Sequence, residues 1–299
     1  MSFIVKENVI IFSHDFKSEL DYNLLSNYNR VIFSDYELDE KLFEYYEKKE
    51  FSNLKKIGSK FNNLIDNLPP NVTHLNLGEY FNKLIDNLPP NITHLDFGDF
   101  FDQDISNLKY GVKSITLKWN FNHELYNIPS TVYNLSLLSR FNKKILNLPN
   151  NLLYLTLCGY FNQPIDNLPQ SIIYLKLGYN FNQSIDNLPQ SIIYLVLGDN
   201  FNQPINNLPQ SIKDIILGNN FNQVVDYLPS SIITLTLGIS FNQPINNLPP
   251  LIEYLFFDQY GVLDQDLNCL PKSLKFIKLP LFYKKNNIKS IHCKELIYL

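Results

Sequence analysis

Apolar residues recur along this chain with one fixed period. Phe stands at 61, 81, 101, 121, 141, 161, 181, 201, 221 and 241, every twentieth position. Asn follows each Phe except at Asp102, and four residues after each Phe comes Ile, Leu or Val, from Ile65 to Ile245. Asn-Leu-Pro is next, as in Asn67-Leu68-Pro69 and Asn167-Leu168-Pro169; the Asn fails only at Tyr227 and the Pro only at Lys109. An aliphatic residue (Val72, Ile92, Ile172, Ile252) precedes a final Leu-x-Leu, as in Leu75-Asn76-Leu77 and Leu195-Val196-Leu197. A unit this short cannot bury its apolar face alone, so successive copies must stack on one another.

Leu-x-Leu alternation is the mark of a short strand with one buried face. Such a strand needs a partner, and the nearest equivalent is the same strand one unit on. Parallel pairing every twenty residues requires each coil to return to its start, about 4.8 Å further along. The pattern therefore predicts a β-rich solenoid: a right-handed coil of 20-residue units, with a parallel sheet on the concave face and extended or 3₁₀ segments on the convex side. Too few residues remain for a helix in the returning arc, where Pro, with its fixed φ and missing N–H, fits an extended segment. The two Asn positions read as structural columns that satisfy backbone groups of their own or a neighbouring coil. Gly follows Leu-x-Leu at 78, 98, 178, 198, 218 and 238 but gives way to Lys118, Leu138, Cys158 and Asp258. A position that demanded positive φ would tolerate those poorly, so this Gly is read as permitting a corner.

The pattern decays at both ends. Residues 1–60 read as degenerate N-terminal capping repeats, with Val31-Ile32-Phe33 as a strand and Phe16 and Leu20 at the Phe-to-Ile spacing. Residues 61–260 hold ten regular units, and 261–299 a displaced unit, a last strand at Leu296-Ile297-Tyr298-Leu299 and a cap. Charge is uneven in the same places. Acidic residues are in excess over 1–50, whereas Lys272, Lys275, Lys278, Lys284, Lys285, Lys289 and Lys294 crowd the last thirty residues. Solvated end caps account for this, and head-to-tail attraction between molecules is the sharper alternative.

The string Phe161-Asn162-Gln163-Pro164-Ile165-Asp166-Asn167-Leu168-Pro169, repeated through 61–257, resembles the FNIP repeat, a branch of the leucine-rich-repeat superfamily found in social amoebae and in giant viruses that infect amoebae. The resemblance implies a leucine-rich-repeat-like solenoid and names the fold far better than the function. Family members sometimes carry an F-box-like segment before the repeats, which would make the chain a substrate receptor of a ubiquitin ligase. No such segment is evident in residues 1–60, which disfavours that alternative.

Composition adds mainly exclusions. With 45% hydrophobic and 18% charged residues and a net charge of −4, the chain is neither disordered nor a basic nucleic-acid binder. No stretch approaches the ~18 apolar residues of a membrane span. Three scattered cysteines, Cys158, Cys269 and Cys293, fit a reducing compartment. The Lys6-Glu7-Asn8 interruption denies the N-terminus a signal-peptide core. A cytoplasmic protein is expected, with no cofactor, no catalytic residue and no metal site. His74 and His94 fall on neighbouring strands about 5 Å apart, near Asp96, and read as an exposed ladder that lacks a third ligand. The Asp column (Asp66, Asp86, Asp166, Asp186, Asp226) reads as solvated.

What varies is the strand's outward face. From the fifth unit onward it gains tyrosines and loses charge, with Tyr154, Tyr174, Tyr194 and Tyr254 before the leucines and Lys176, Val196, Ile216 and Phe256 between them. These eight are the candidate contacts for a protein partner, a host protein if the chain is viral. The competing reading is that they only stabilise the ladder through cross-strand packing.

Overall fold

The architecture follows from what each position in the twenty-residue unit must bury. The computed structural model describes residues 2–48, 54–138, 140–267, 269–281, 283 and 295–298. The chain divides into two compact units. The first comprises residues 1–141 with 146–151, and the second 142–145 with 152–299.

In the first unit, β1 (Phe3–Lys6) and β2 (Val9–Phe12) form an antiparallel hairpin with Phe3 opposite Phe12. β3 (Arg30–Phe33) then runs parallel to β2, and the register passes on as Arg30↔His74 and Val31↔Leu75 into β4 (His74–Asn76). β5 (His94–Asp96), β6 (Ser114–Leu117) and β7 (Asn134–Leu137) follow in parallel, each displaced by one repeat. The second unit continues the same scheme with β8 (Tyr154–Leu157), β9 (Tyr174–Leu177), β10 (Tyr194–Val196), β11 (Asp214–Ile216), β12 (Thr234–Leu237), β13 (Tyr254–Phe257), β14 (Phe276–Leu279) and β15 (Glu295–Tyr298), all parallel. The chain is a parallel-sheet β-solenoid of twenty-residue turns.

The returning arc contains no helix among the described residues. Each coil instead turns through i→i+3 bonds, as in Phe201 N–H to Gly198 O at 3.1 Å and Ile212 N–H to Pro209 O at 3.3 Å. Pro therefore accepts the turn's hydrogen bond through its carbonyl, and its missing N–H leaves nothing unpaired. Inside, like sits on like. Phe161, Phe181, Phe201, Phe221 and Phe241 are fully buried and stack with ring centroids 6.1–6.2 Å apart and planes within 9°. Phe61, Phe81 and Phe101 do the same in the first unit, at 6.1 and 6.2 Å. Each buried Phe removes enough apolar surface from water to contribute roughly 1.5–3 kcal/mol, and offset stacking adds to it.

Two helices precede the repeats, and the alternation did not predict them. α1 (Tyr22–Leu25) is capped by Asp21, whose carboxylate accepts the N–H of Asn23 at 2.9 Å and of Leu24 at 3.2 Å. α2 (Lys41–Lys48) buries Leu42 and Tyr46 against Ile11 and Ile32. Segments of four and eight residues are too short to display a helical period. Phe16 joins the aromatic column, 6.1 Å from Phe61.

The glycines show that packing, not φ, sets their position. None of Gly78, Gly98, Gly178, Gly198, Gly218 or Gly238 has positive φ. A Cβ on Gly98 would lie 2.0 Å from the Gly78 carbonyl oxygen, and one on Gly218 2.3 Å from that of Gly198. Leu138 and Asp258, which stand where other coils have Gly, bond the carbonyls of Leu117 (2.8 Å) and Leu237 (2.9 Å), as Gly178 bonds that of Leu157 (2.7 Å).

Candidate binding surface

Because successive side chains on a strand point to opposite faces, two residues per coil look outward from the sheet. In the second unit the first outward column runs Tyr154, Tyr174, Tyr194, Asp214, Thr234, Tyr254, Phe276 in register. The second runs Thr156, Lys176, Val196, Ile216, Thr236, Phe256, Lys278. Tyr154 (40%), Tyr194 (47%) and Ile216 (42%) retain large exposed fractions.

The eight residues singled out from the sequence fall into two sets. Lys176, Val196, Ile216 and Phe256 line one groove of about 790 Å³, whose other wall is the row of corner glycines. The glycines give that wall a backbone surface, since a Cβ at 198, 218 or 238 would lie 2.3 Å from the carbonyl oxygen of the preceding coil's glycine. Lys176 and Lys278 stand at its two ends, and Asp199 and Asp258 lie on the corner side. The four tyrosines share the sheet face but do not line the groove. Tyr154 and Tyr174 contact each other, with centroids 6.3 Å apart, while Tyr254 is in register with Phe276, whose ring meets Phe256 at 5.3 Å.

The outward face of the first unit is chemically different. His74 and His94 stack face to face at 4.1 Å, half-buried rather than the exposed ladder expected from sequence. Thr73 Oγ1 lies 3.2 Å from Asn29 O, and Thr93 Oγ1 3.1 Å from Thr73 O. Each hydroxyl also hydrogen-bonds its neighbouring His Nδ1 at 2.8 Å, the donor of that pair being set by the histidine tautomer. Burial, reinforced by His94 and Arg30, pushes the His74 pKa down to about 4. Burial, with Lys113 and Arg30, lowers that of His94 as well. Asp96 pairs with Lys118 at 2.8 Å. Among the described residues, no three ligating side chains come together.

Sequence reasoning anticipated one Asn column correctly and misread the other. The Asn after Phe accepts a backbone N–H from the next coil, as Asn162 Oδ1 does from Asn182 N at 2.9 Å. The Asn before Leu-Pro binds no backbone in these coils. It donates to the carboxylate of the preceding coil, as from Asn187 to Asp166 and from Asn207 to Asp186, both at 3.1 Å, so the Asp column is hydrogen-bonded as well as exposed. Two further columns escaped notice. Gln183, Gln203 and Gln223 reach back to the same Asn oxygens at 3.0–3.1 Å. Ser171, Ser191, Ser211 and Ser231 each donate to a carbonyl nineteen residues earlier at 2.6 Å. Their recurrence was visible; polar residues in a loop simply carry no periodic signal of burial. His292 and Cys293, with Lys284, Lys285, Lys289 and Lys294, lie outside the described residues.

Comparison with known proteins agrees with this geometry. The FNIP Repeat signature matches residues 61–100, 141–180, 161–187, 181–220 and 221–260. No curated protein matches the chain in sequence. Among solved structures it is similar to the giant-virus protein CroV588, a circular LRR protein, with a TM-score of 0.68 and 32% identity over 99% of this chain and 54% of that one. YopM from Yersinia enterocolitica (TM-score 0.52, 23% identity, 73% of this chain and 50% of that one) and InlJ from Listeria monocytogenes (0.52, 12%, 73% and 56%) share the fold. The chain spans about half the length of each. Among the described residues, no helix is long and apolar enough to cross a membrane.

Proposed function

Because this chain belongs to the FNIP repeat family, we propose that it is a non-enzymatic scaffold that holds a protein partner on the outward sheet face of its second unit. The observation that carries this reading is the 790 Å³ groove floored by Val196, Ile216, Thr236 and Phe256 and walled by glycines. An apolar floor between two lysines is the composition of an interface core with a polar rim. The adjacent tyrosines supply amphipathic contact area of the kind that dominates binding hot spots. Cross-strand packing alone does not require an apolar column to border an open wall. The partner is therefore one that presents aliphatic or aromatic side chains to the groove floor.

Selection of displayed random peptides on the full chain tests this. Enriched sequences should be rich in Leu, Phe, Tyr or Trp. Their affinity should fall at least tenfold in the Val196→Asp/Ile216→Asp variant, with circular dichroism and melting preserved. Peptides that bind the variant and the parent equally would overturn the assignment.

A further inference from the structure

Next around the coil from the apolar groove, the second unit carries another groove, of about 610 Å³, lined only by uncharged polar side chains. One wall is Asn142, Asn162 and Asn182, and the other is Asn180, Asn200 and Asn220, with Tyr160 at one end. The amide orientation on the first wall is forced. Asn162 Oδ1 accepts the Asn182 backbone N–H at 2.9 Å and Gln183 Nε2 at 3.0 Å, and Asn182 Oδ1 accepts Asn202 N and Gln203 Nε2 at 2.9 and 3.1 Å. Both partners are donors, so the oxygen must face them and the NH₂ group must turn away. Among the described residues, no acceptor is recorded for Nδ2 of Asn162 or Asn182. On the second wall the amides form a ladder, Asn200 Nδ2 to Asn180 Oδ1 at 3.1 Å and Asn220 Nδ2 to Asn200 Oδ1 at 3.0 Å. Each ladder NH₂ keeps a second hydrogen, and each oxygen a second lone pair.

The first wall is a feature of both units, since Asn62, Asn82 and Asn122 occupy it too. The second wall is not. Its positions are Tyr80, Phe100, Asn120 and Arg140 in the first unit, and Tyr160, Asn180, Asn200, Asn220, Ser240 and Tyr260 in the second. Core packing therefore does not require asparagine there. Tyr160 (48% exposed) and Tyr260 (60%) mark the two ends of that run.

The geometry points to a binding site for a neutral glycan chain. The groove offers amide donors and acceptors at one-coil intervals and no charge, which disfavours nucleic acid and acidic polymers. A pyranose in an extended glycan advances roughly as far as one coil, whose rise is about 4.8 Å. Successive sugars can therefore meet successive asparagines, with alternate units of a β-1,4 chain turning the same edge to the wall. An extended peptide advances about 3.3 Å per residue and falls out of step with the coils. Tyr160 presents an exposed aromatic ring on which a terminal sugar can rest. This site is independent of the proposed protein-binding groove.

Cellotetraose, mannotetraose and chitotetraose, each with its disaccharide, should be titrated calorimetrically into the full chain. At least one tetrasaccharide should bind saturably and more tightly than its disaccharide, with little change between low and high salt. Its affinity should fall at least tenfold in Asn180→Ala/Asn200→Ala, and also in Tyr160→Ala. The assignment is overturned if none of the three binds at millimolar concentration, or if a bound glycan is indifferent to Tyr160→Ala and to whichever ladder variant folds. It is equally overturned if a neutral tetrapeptide matches the glycan's affinity and asparagine dependence.

Discussion

The two units share one skeleton and differ in what they show to solvent. Phe81 and Phe201 are equally buried in equivalent stacks, and Leu95 and Leu195 in equivalent strands. Outward, the first unit shows Arg30, His74, His94 and the Asp96–Lys118 pair, whereas the second shows tyrosines, Val196, Ile216 and Phe256. At the corner, Tyr80 stacks on Phe100 at 4.8 Å in the first unit, where the second has its asparagine ladder. Stacking constrains the inward positions because each touches its own copy above and below. The outward positions also meet their neighbours in register but face solvent rather than the core, and the chemical differences between the units sit there.

Four perturbations sharpen or break this comparison. The largest effect should come from the shared skeleton: Phe201→Ala and Phe81→Ala should each cost roughly 3–5 kcal/mol in chemical denaturation. Effects that differed greatly between the two would deny the equivalence. Next, Gly98→Ala and Gly218→Ala should each cost about 1–3 kcal/mol, since the new Cβ meets a carbonyl oxygen of the coil below. Thermal melting would read both.

The third perturbation separates the units. Folding depresses the His74 pKa to about 4, so between pH 6.5 and 4 the unfolded chain binds protons that the folded chain refuses. Stability present above pH 6.5 is therefore lost as the pH falls through that window. For a half-exposed ring, screened by solvent, the loss should be about 1 kcal/mol. His74→Asn/His94→Asn should flatten the slope of melting temperature against pH over that range, and an unchanged slope would refute the attribution. Smallest of all, Lys176→Ala should change stability by under ~0.5 kcal/mol, as expected of an outward position with no recorded ion pair among the described residues.

Much of this was legible in the sequence because burial is periodic. The Phe, Leu-x-Leu and Ile columns announce the coil, and strands as remote as Val31-Ile32-Phe33 and Leu296-Ile297-Tyr298 could be picked out by analogy. Short helices such as Lys41–Lys48 could not, since two turns display too little period. Nor could the reason for glycine, which lies in the distance between stacked backbones rather than in any dihedral preference. The candidate surface was half visible. The outward columns could be written down residue by residue, but only coordinates show that Ile216 and Phe256 border an open wall while Tyr174 does not.

The central claim is that recognition belongs to the second unit's outward face and not to the first's. Positions 116 and 216 are equivalent, each the second outward residue of its coil, and a photo-crosslinking amino acid can replace Thr116 or Ile216 in the full chain. Irradiation with peptides selected on the parent protein should give a covalent adduct from position 216 and essentially none from 116. Adducts of equal yield from both, or from 116 alone, would contradict the account.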